Sequence, residues 1–349
     1  MLLTRQFRRF VSTPSRSLSH VAEFAQHGRV ATILLNRPKA LNSYNHEMVE
    51  RIIARLGEIE KDESLDIVLM EGAGGKAFCA GGDIVNLGNM ARENQMHHRV
   101  KTFPKPIVSL GDGIVMGGGM GLCCNSRYRV GTARSMFAMP ETKIGFYPDA
   151  GATYFLSRLG DVGMYLALTG NRTRGADALH LGFVTHFTDR IPELREGILA
   201  CGSEGELVEC LESFQPADDI PELTFQSNLL EISKCFSAPS VLEIRSRLQA
   251  SGTEFAAATD KTLSTMSPIA LCIAHRTQHL SRSLDFTECL RMEVQIADPT
   301  FALGEFEEGV RALLVDKDNN PRWNPATLEE ITEEMINGVF SAPADWQPI

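Results

Sequence analysis

No stretch of this 349-residue sequence approaches the roughly 20 consecutive apolar residues of a membrane-spanning helix, so no membrane partner is expected. The eight cysteines include no Cys-x-x-Cys pair. Cys123 and Cys124 are adjacent, which suits neither a zinc site nor a disulfide framework, so reduced core thiols are expected. No Gly-x-Gly-x-x-Gly opens a helix after the first strand and no Gly-Lys-Ser/Thr occurs, which argues against a dinucleotide fold and a P-loop. No Gly-x-Ser-x-Gly elbow supplies a serine nucleophile. Basic residues are in deficit: 34 Lys and Arg against 44 Asp and Glu give a net charge of -10, so no nucleic-acid partner is expected. The nine histidines include His97-His98 with no cysteine or acid at ligand spacing; a solvated helix face is expected there, and no metal. Acids are missing from residues 1–20, which carry Arg5, Arg8, Arg9, Arg16 and several Ser and Thr. That composition reads as an organellar transit peptide, and mitochondria are favoured; a disordered basic tail is the plainer alternative.

What is present alternates. Arg29–Leu35 reads as a strand, and His46–Glu60 has the helical spacing Met48, Ile52, Ile53, Leu56, Ile59. Leu65–Met70 reads as a buried strand, followed by a glycine-rich loop over Glu71–Asp83. Pro106–Leu110 and Arg127–Gly131 read as strands around a small-residue helix that opens at Met116–Gly121. This is an α/β pattern with crossover connections. After Ala152 short helices are expected, Ile191–Pro221 is acidic and poorly patterned and reads as surface loops and helix, and Leu223–Leu303 reads as helices. The expected organisation is a leader over 1–20, an α/β core over 21–185, and a mostly helical region over 186–349 that completes the same fold.

Three segments can carry chemistry. Ala77–Asp83 (AFCAGGD) has two glycines that let a backbone approach a ligand and expose N–H groups, or that merely make a tight turn. Gly117-Gly118-Gly119 stands at a helix start, where free N–H groups at the positive end of the dipole suit a developing oxyanion. The alternative there is close helix packing. Met139–Gly151 carries Glu141 and Asp149, eight apart in a loop dense with proline and glycine. Two carboxyls in one pocket push their pKa values apart and give a base and an acid; alternatively Asp149 only caps the next helix.

In this order and spacing the segments resemble the enoyl-CoA hydratase/isomerase (crotonase) superfamily. The resemblance runs from about residue 21 to 340 and includes FCAGGD, MGGGMGL, FAMPETKIGFYPDAGATYFLSRL, CFSAPSV, MSPIAL and EFEEGVRALLVDKDNNPRWNP. It implies a crotonase-like (ClpP/crotonase) α/β spiral of β-β-α units with a helical C-terminal region. By position it implies an oxyanion hole from the N–H groups of Gly82 and Gly118, with Glu141 as the catalytic glutamate. It implies Asp149 as the acid of the superfamily's thioester hydrolases and Glu93 as a substrate contact. Gly118, Glu141 and Asp149 would also bind substrate, and Lys39, Leu41 and Ala80 would line the CoA path. Hydratases carry a second glutamate where this chain has Gly121, and dienoyl-CoA isomerases carry acids at both the Gly121 and Asp149 positions. Glycine at 121 is expected to leave room for substrate.

The resemblance therefore points to hydrolysis of a short 3-hydroxyacyl-CoA, 3-hydroxyisobutyryl-CoA or 3-hydroxypropionyl-CoA, to the free hydroxy acid and CoA, in valine degradation in the mitochondrial matrix. CoA is part of the substrate, and no separate cofactor is expected. The superfamily often forms homo-oligomers. Alternatives are another crotonase reaction, hydration or isomerisation, or a non-catalytic subunit of a mitochondrial ribosome.

Overall fold

The computed structural model describes residues 20–84, 89–215, 220–343 and 345–349. The leader expected over 1–20 lies, except for His20, outside the described residues. Ten strands follow in chain order: β1 (Ala22–His27), β2 (Val30–Leu35), β3 (Ile67–Gly72), β4 (Ala77–Cys79), β5 (Ile107–Leu110), β6 (Ile114–Met116), β7 (Tyr128–Gly131), β8 (Met136–Ala138), β9 (Thr173–Arg174) and β10 (His186–Phe187). They form a six-stranded sheet, order β1-β2-β3-β5-β7-β10, and a four-stranded sheet, order β4-β6-β8-β9. β1 is antiparallel to β2 and β9 to β8; all other pairings are parallel.

Three strands of the large sheet, β3, β5 and β7, are each followed within a few residues by one of the small sheet, β4, β6 and β8. Helices then return the chain: α1 (His46–Lys61) after β2, α2 (Met90–Thr102) after β4, α3 (Gly118–Cys124) after β6, and α4 (Ala152–Ser157) with α5 (Gly160–Thr169) after β8. The four expected strands are β2, β3, β5 and β7. The small-sheet strands β4, β6 and β8 escaped the sequence pattern because three residues are too few to show a period of two. α1 buries all five expected apolar positions, and the Asn45 side chain caps it by accepting from the Met48 N–H at 3.0 Å.

The rest is helical: α6 (Asp177–His180), α7 (Ile191–Ala200), α8 (Glu204–Ser213), α9 (Leu229–Phe236), α10 (Val241–Ser251), α11 (Glu254–Leu263), α12 (Pro268–Ser281), α13 (Phe286–Ala302), α14 (Glu305–Val310) and α15 (Glu333–Phe340). The acidic stretch from Ile191 is more ordered than its pattern suggested. Leu194 and Ile198 of α7 and Leu207 and Leu211 of α8 pack on Val30, Ile67, Leu69, Val108 and Val130 of the large sheet. Thus β2 and β3 are covered on both faces, which accounts for their near-continuous apolar runs. The main core joins both halves of the chain: Ile33, Met70 and Val115 belong to one apolar cluster with Ile269, Ile273, Ile296 and Phe306. The eight cysteines are free. Among the described residues no helix is long and apolar enough to cross a membrane.

Candidate active site

β4, β6 and β8 are parallel neighbours, so their C-terminal ends lie side by side. Immediately beyond those ends come Ala80–Asp83, Gly117-Gly118 and Glu141. Register alone thus gathers three segments that are up to about 60 residues apart in sequence. They surround a cavity of about 160 Å³ that Ala80, Gly82, Glu93, Gly118, Glu141 and Asp149 all line.

The backbone donors are local consequences of glycine. Gly82 forms a single parallel bridge with Tyr44, in which Tyr44 donates to the Gly81 carbonyl at 3.0 Å and accepts from Asp83 N–H at 2.8 Å. The N–H of Gly82 takes no part in that bridge. Gly118 is the first residue of α3, with no carbonyl a turn earlier to accept its N–H. Among the described residues neither N–H meets a backbone carbonyl. Gly81 has φ +100, and a Cβ there would lie 3.1 Å from the Met116 carbonyl and 3.3 Å from the Gly118 nitrogen. A side chain at 81 would strain the backbone and crowd the Gly118 nitrogen. A Cβ at Gly119 would stand 2.0 Å from the Cys79 carbonyl, so α3 also packs hard on β4. Both expected roles of the triple glycine, free donors and close packing, coexist. Arg37 fastens the 80–83 loop through its ion pair with Asp83 at 2.7 Å.

The acids sit in low dielectric. Glu141 is 8% exposed and opens a short 3-10 turn, Glu141–Ile144, after β8. Its Oε2 is buried without a hydrogen-bond partner among the described residues. Burial first, then the like charge of Asp149, push its pKa well above the carboxylate range. Burial raises Asp149 to about 7. Glu93, on the first turn of α2, is raised to about 8 by burial and by Asp149, against a hydrogen bond from Tyr44. Three carboxyls with two N–H groups beside them form an arrangement that can stabilise negative charge on a carbonyl oxygen and offer a nucleophile and a proton close by.

The Enoyl-CoA hydratase/isomerase family model matches residues 30–340. The chain belongs to this family. It is 40% identical over 336 residues to the mitochondrial 3-hydroxyisobutyryl-CoA hydrolase of Xenopus tropicalis, covering 90% of this chain and 87% of that protein. It is 38% identical over 335 residues to the human protein of the same name, covering 90% and 87%. Among solved structures, a carnitinyl-CoA dehydratase from Mycobacterium thermoresistibile superposes with a TM-score of 0.86 at 35% identity, over 93% of this chain and 97% of that one. The crotonase architecture expected from the motifs is therefore the observed one.

Two expectations for this family member are corrected. Glycine at 121 does not leave room for substrate. A Cβ there would lie 2.6 Å from the Ala150 carbonyl and 2.7 Å from His97 Cε1, so the protein itself fills the space. His97 and His98 are not on a solvated face; they are 0% and 9% exposed. α2 turns both inward, His97 against Tyr44 and His98 between Phe286 and Trp346. One consequence is testable. Gly121→Glu, which restores the hydratase pattern, is expected to cost about 3 kcal/mol or more by overpacking. It should confer no hydration of crotonyl-CoA, checked by thermal melts and by the enoyl absorbance.

Lys39 and Leu41 do not line the cavity. Lys39 is exposed on a 3-10 turn, and Leu41 reaches the site only through its carbonyl, which accepts from Ala80 N–H at 3.0 Å. Among the described residues no group of three or more His, Cys, Asp or Glu is placed to hold a metal.

Several site residues were not foreseen. Tyr44, Phe146, Phe301 and Phe306 line the pocket. Phe146 stacks on Phe301 at 4.9 Å between centroids, and Phe306 meets both edge-on. α14 brings Phe306 there and clamps the turn that carries Glu141: a Cβ at Gly309 would lie 2.5 Å from the Ile144 backbone. Glu293 of α13 is 0% exposed. It accepts from Gly151 N–H at 3.0 Å, the Thr153 hydroxyl at 2.6 Å and Asn94 at 3.1 Å. It therefore ties the Asp149 loop to the helix that carries Glu93. The signal for it was present: an acid on the apolar stripe Phe286, Cys289, Leu290, Ile296, Ala297.

Proposed function

We propose that this chain is an acyl-CoA thioester hydrolase that releases CoA from 3-hydroxyisobutyryl-CoA, in valine catabolism, with 3-hydroxypropionyl-CoA as a second substrate. The observation that carries this reading is the filled space at Gly121: the pocket keeps Glu141 and Asp149 but has no place for the second glutamate with which a hydratase aligns water. The relatives named above point the same way.

The thioester carbonyl oxygen accepts from the Gly82 and Gly118 N–H groups, each donor being worth about 3 kcal/mol as charge develops. A Glu141 oxygen bonds to the carbonyl carbon, and the carbonyl electron pair moves onto the oxygen held in the hole. Collapse expels the CoA thiolate, which takes a proton from Asp149, and leaves a mixed anhydride. Water gives a proton to the Asp149 carboxylate as its oxygen bonds to the anhydride, which breaks to release the hydroxy acid and restores both Glu141 and Asp149. General-base attack of water is the second route. Label from oxygen-18 water appears in Glu141 after a single turnover only if the anhydride forms. Glu93 faces the substrate hydroxyl.

We further propose that residues 1–20 direct import to the mitochondrial matrix, and that residues 186–349 complete the fold of 21–185, a reading supported by the shared core. No cofactor beyond the CoA of the substrate is invoked.

The test is thiol release from 3-hydroxyisobutyryl-CoA beside hydration of crotonyl-CoA. Thiol release without hydration is expected; the reverse would remove the hydrolase reading. The pH profile follows from the shifted carboxyls. Glu141 must be ionised while Asp149 keeps a proton, so the pair works after losing its first proton. Because both carboxyls are raised, kcat/KM is expected to climb with pH well above the ordinary carboxyl range. In Asp149→Asn the proton donor is gone and Glu141 titrates alone, so the residual activity should keep its acid limb and lose the alkaline fall that the pair's second ionisation gives wild type. An alkaline fall left in place would take Asp149 out of the proton transfer.

A further inference from the structure

Tyr44 stands where the parts of the site meet. It is 2% exposed and lines the pocket. A Cβ on Gly118 would fall 1.7 Å from its hydroxyl, and one on Gly82 would fall 3.5 Å from its ring and 3.6 Å from Glu93 Oε2. The ring therefore backs both oxyanion-hole glycines, and its hydroxyl reaches the acid that faces the acyl end. That hydroxyl is a polar neighbour of Glu93, whose ionised form it favours, and lies 3.3 Å from His97 Nε2.

Tyr44 carries one proton and its oxygen can also accept, so it can link Glu93 to the ring of His97, which burial keeps neutral down to a pKa of about 3. Either tautomer of His97 holds the hydroxyl: Nε2 accepts its proton or donates to its oxygen. The ring of His97 is fixed in turn by the packing at Gly121.

We propose that Tyr44, anchored by His97, is a specificity-determining residue that orients Glu93 to accept the 3-hydroxyl of the acyl group. The hydratase glutamate position is thus given over to a buttress for hydroxyl recognition. The proposal rests on the hydrolase reading above.

The test compares wild type, Tyr44→Phe and His97→Leu on two thioesters, 3-hydroxyisobutyryl-CoA and isobutyryl-CoA. Tyr44→Phe keeps the ring against Gly82 and Gly118 and removes only the oxygen. Its preference for the hydroxylated substrate is expected to fall roughly tenfold, through a rise in KM for that substrate. His97→Leu should shift the preference the same way, less strongly. A preference within about twofold of wild type in Tyr44→Phe, or a parallel loss on both substrates, would overturn the proposal. A binding arm uses two non-hydrolysable CoA thioethers, with and without the 3-hydroxyl, measured by calorimetry. If wild type released no thiol, the hydrolase reading would fail by itself, and the ratio of the two thioether affinities in wild type and Tyr44→Phe would still decide the role of Tyr44.

Discussion

Glu141→Gln is expected to lower thiol release from 3-hydroxyisobutyryl-CoA by at least about a thousandfold, with KM little changed. The amide keeps the shape of a side chain that is 8% exposed, but it can neither attack the thioester nor take a proton from water. The same variant should be more stable than wild type above neutral pH, and the sign follows from linkage. Burial and Asp149 raise the pKa of Glu141 in the folded state, so the folded protein holds a proton that the unfolded chain has released. Ionising Glu141 therefore costs stability, increasingly as pH rises from the ordinary carboxyl range toward the raised value. Glutamine carries no such cost. Kinetics by thiol release and melting curves at pH 5 and pH 8 check both parts. A variant with near-normal turnover would take Glu141 out of the chemistry, and one that lost activity by unfolding would leave its role to be read from the pH 8 melt.

Glu293→Ala is expected to be the most damaging change outside the cavity lining. It strips the acceptor from Gly151 N–H, Thr153 N–H, the Thr153 hydroxyl and Asn94, all in the interior. Buried donors left without partners cost about 1–3 kcal/mol each, so a loss on the order of 4 kcal/mol is expected even after the loop relaxes. Asp149 lies two residues before Gly151, and Glu93 is next to Asn94, so both acids should lose their placement together. Glu293→Gln separates stability from positioning. Its one oxygen can keep some of these bonds, while its NH₂ must face a donor. It should fold, with kcat reduced roughly tenfold or more. Denaturant unfolding and steady-state kinetics on both variants provide the check. Full activity in a folded Glu293→Gln would confine Glu293 to stability.

Much of the site was legible because it is written in contiguous motifs. The glycines of 81–82 and 117–119 and the acids Glu141 and Asp149 lie in short stretches whose local geometry, a turn, a helix start and a proline-rich loop, already suggests exposed N–H groups and paired carboxyls. The helix over α1 and the strands β2, β3, β5 and β7 were legible because burial imposes a period or a continuous apolar run. The acidic segment of α7 and α8 was legible only as loops and helix because its apolar positions are few, and the covered sheet beneath them shows why they suffice.

The sequence by itself determined the family, the motifs that carry Gly82, Gly118, Glu141 and Asp149, and the absence of a second glutamate at 121. Those follow from residue identity at fixed spacing, which needs no fold to be read. Tertiary structure alone decided what fills the space at Gly121, that His97 faces inward to Tyr44, and that Glu293 on α13 holds the loop of Asp149 about 140 residues before it. Each of those is a contact between elements distant in sequence, and its sign depends on which face of a helix is buried. A histidine pair on a solvated helix and one on a buried helix have the same letters; only the side chains they pack against, Tyr44 for His97 and Phe286 and Trp346 for His98, tell them apart.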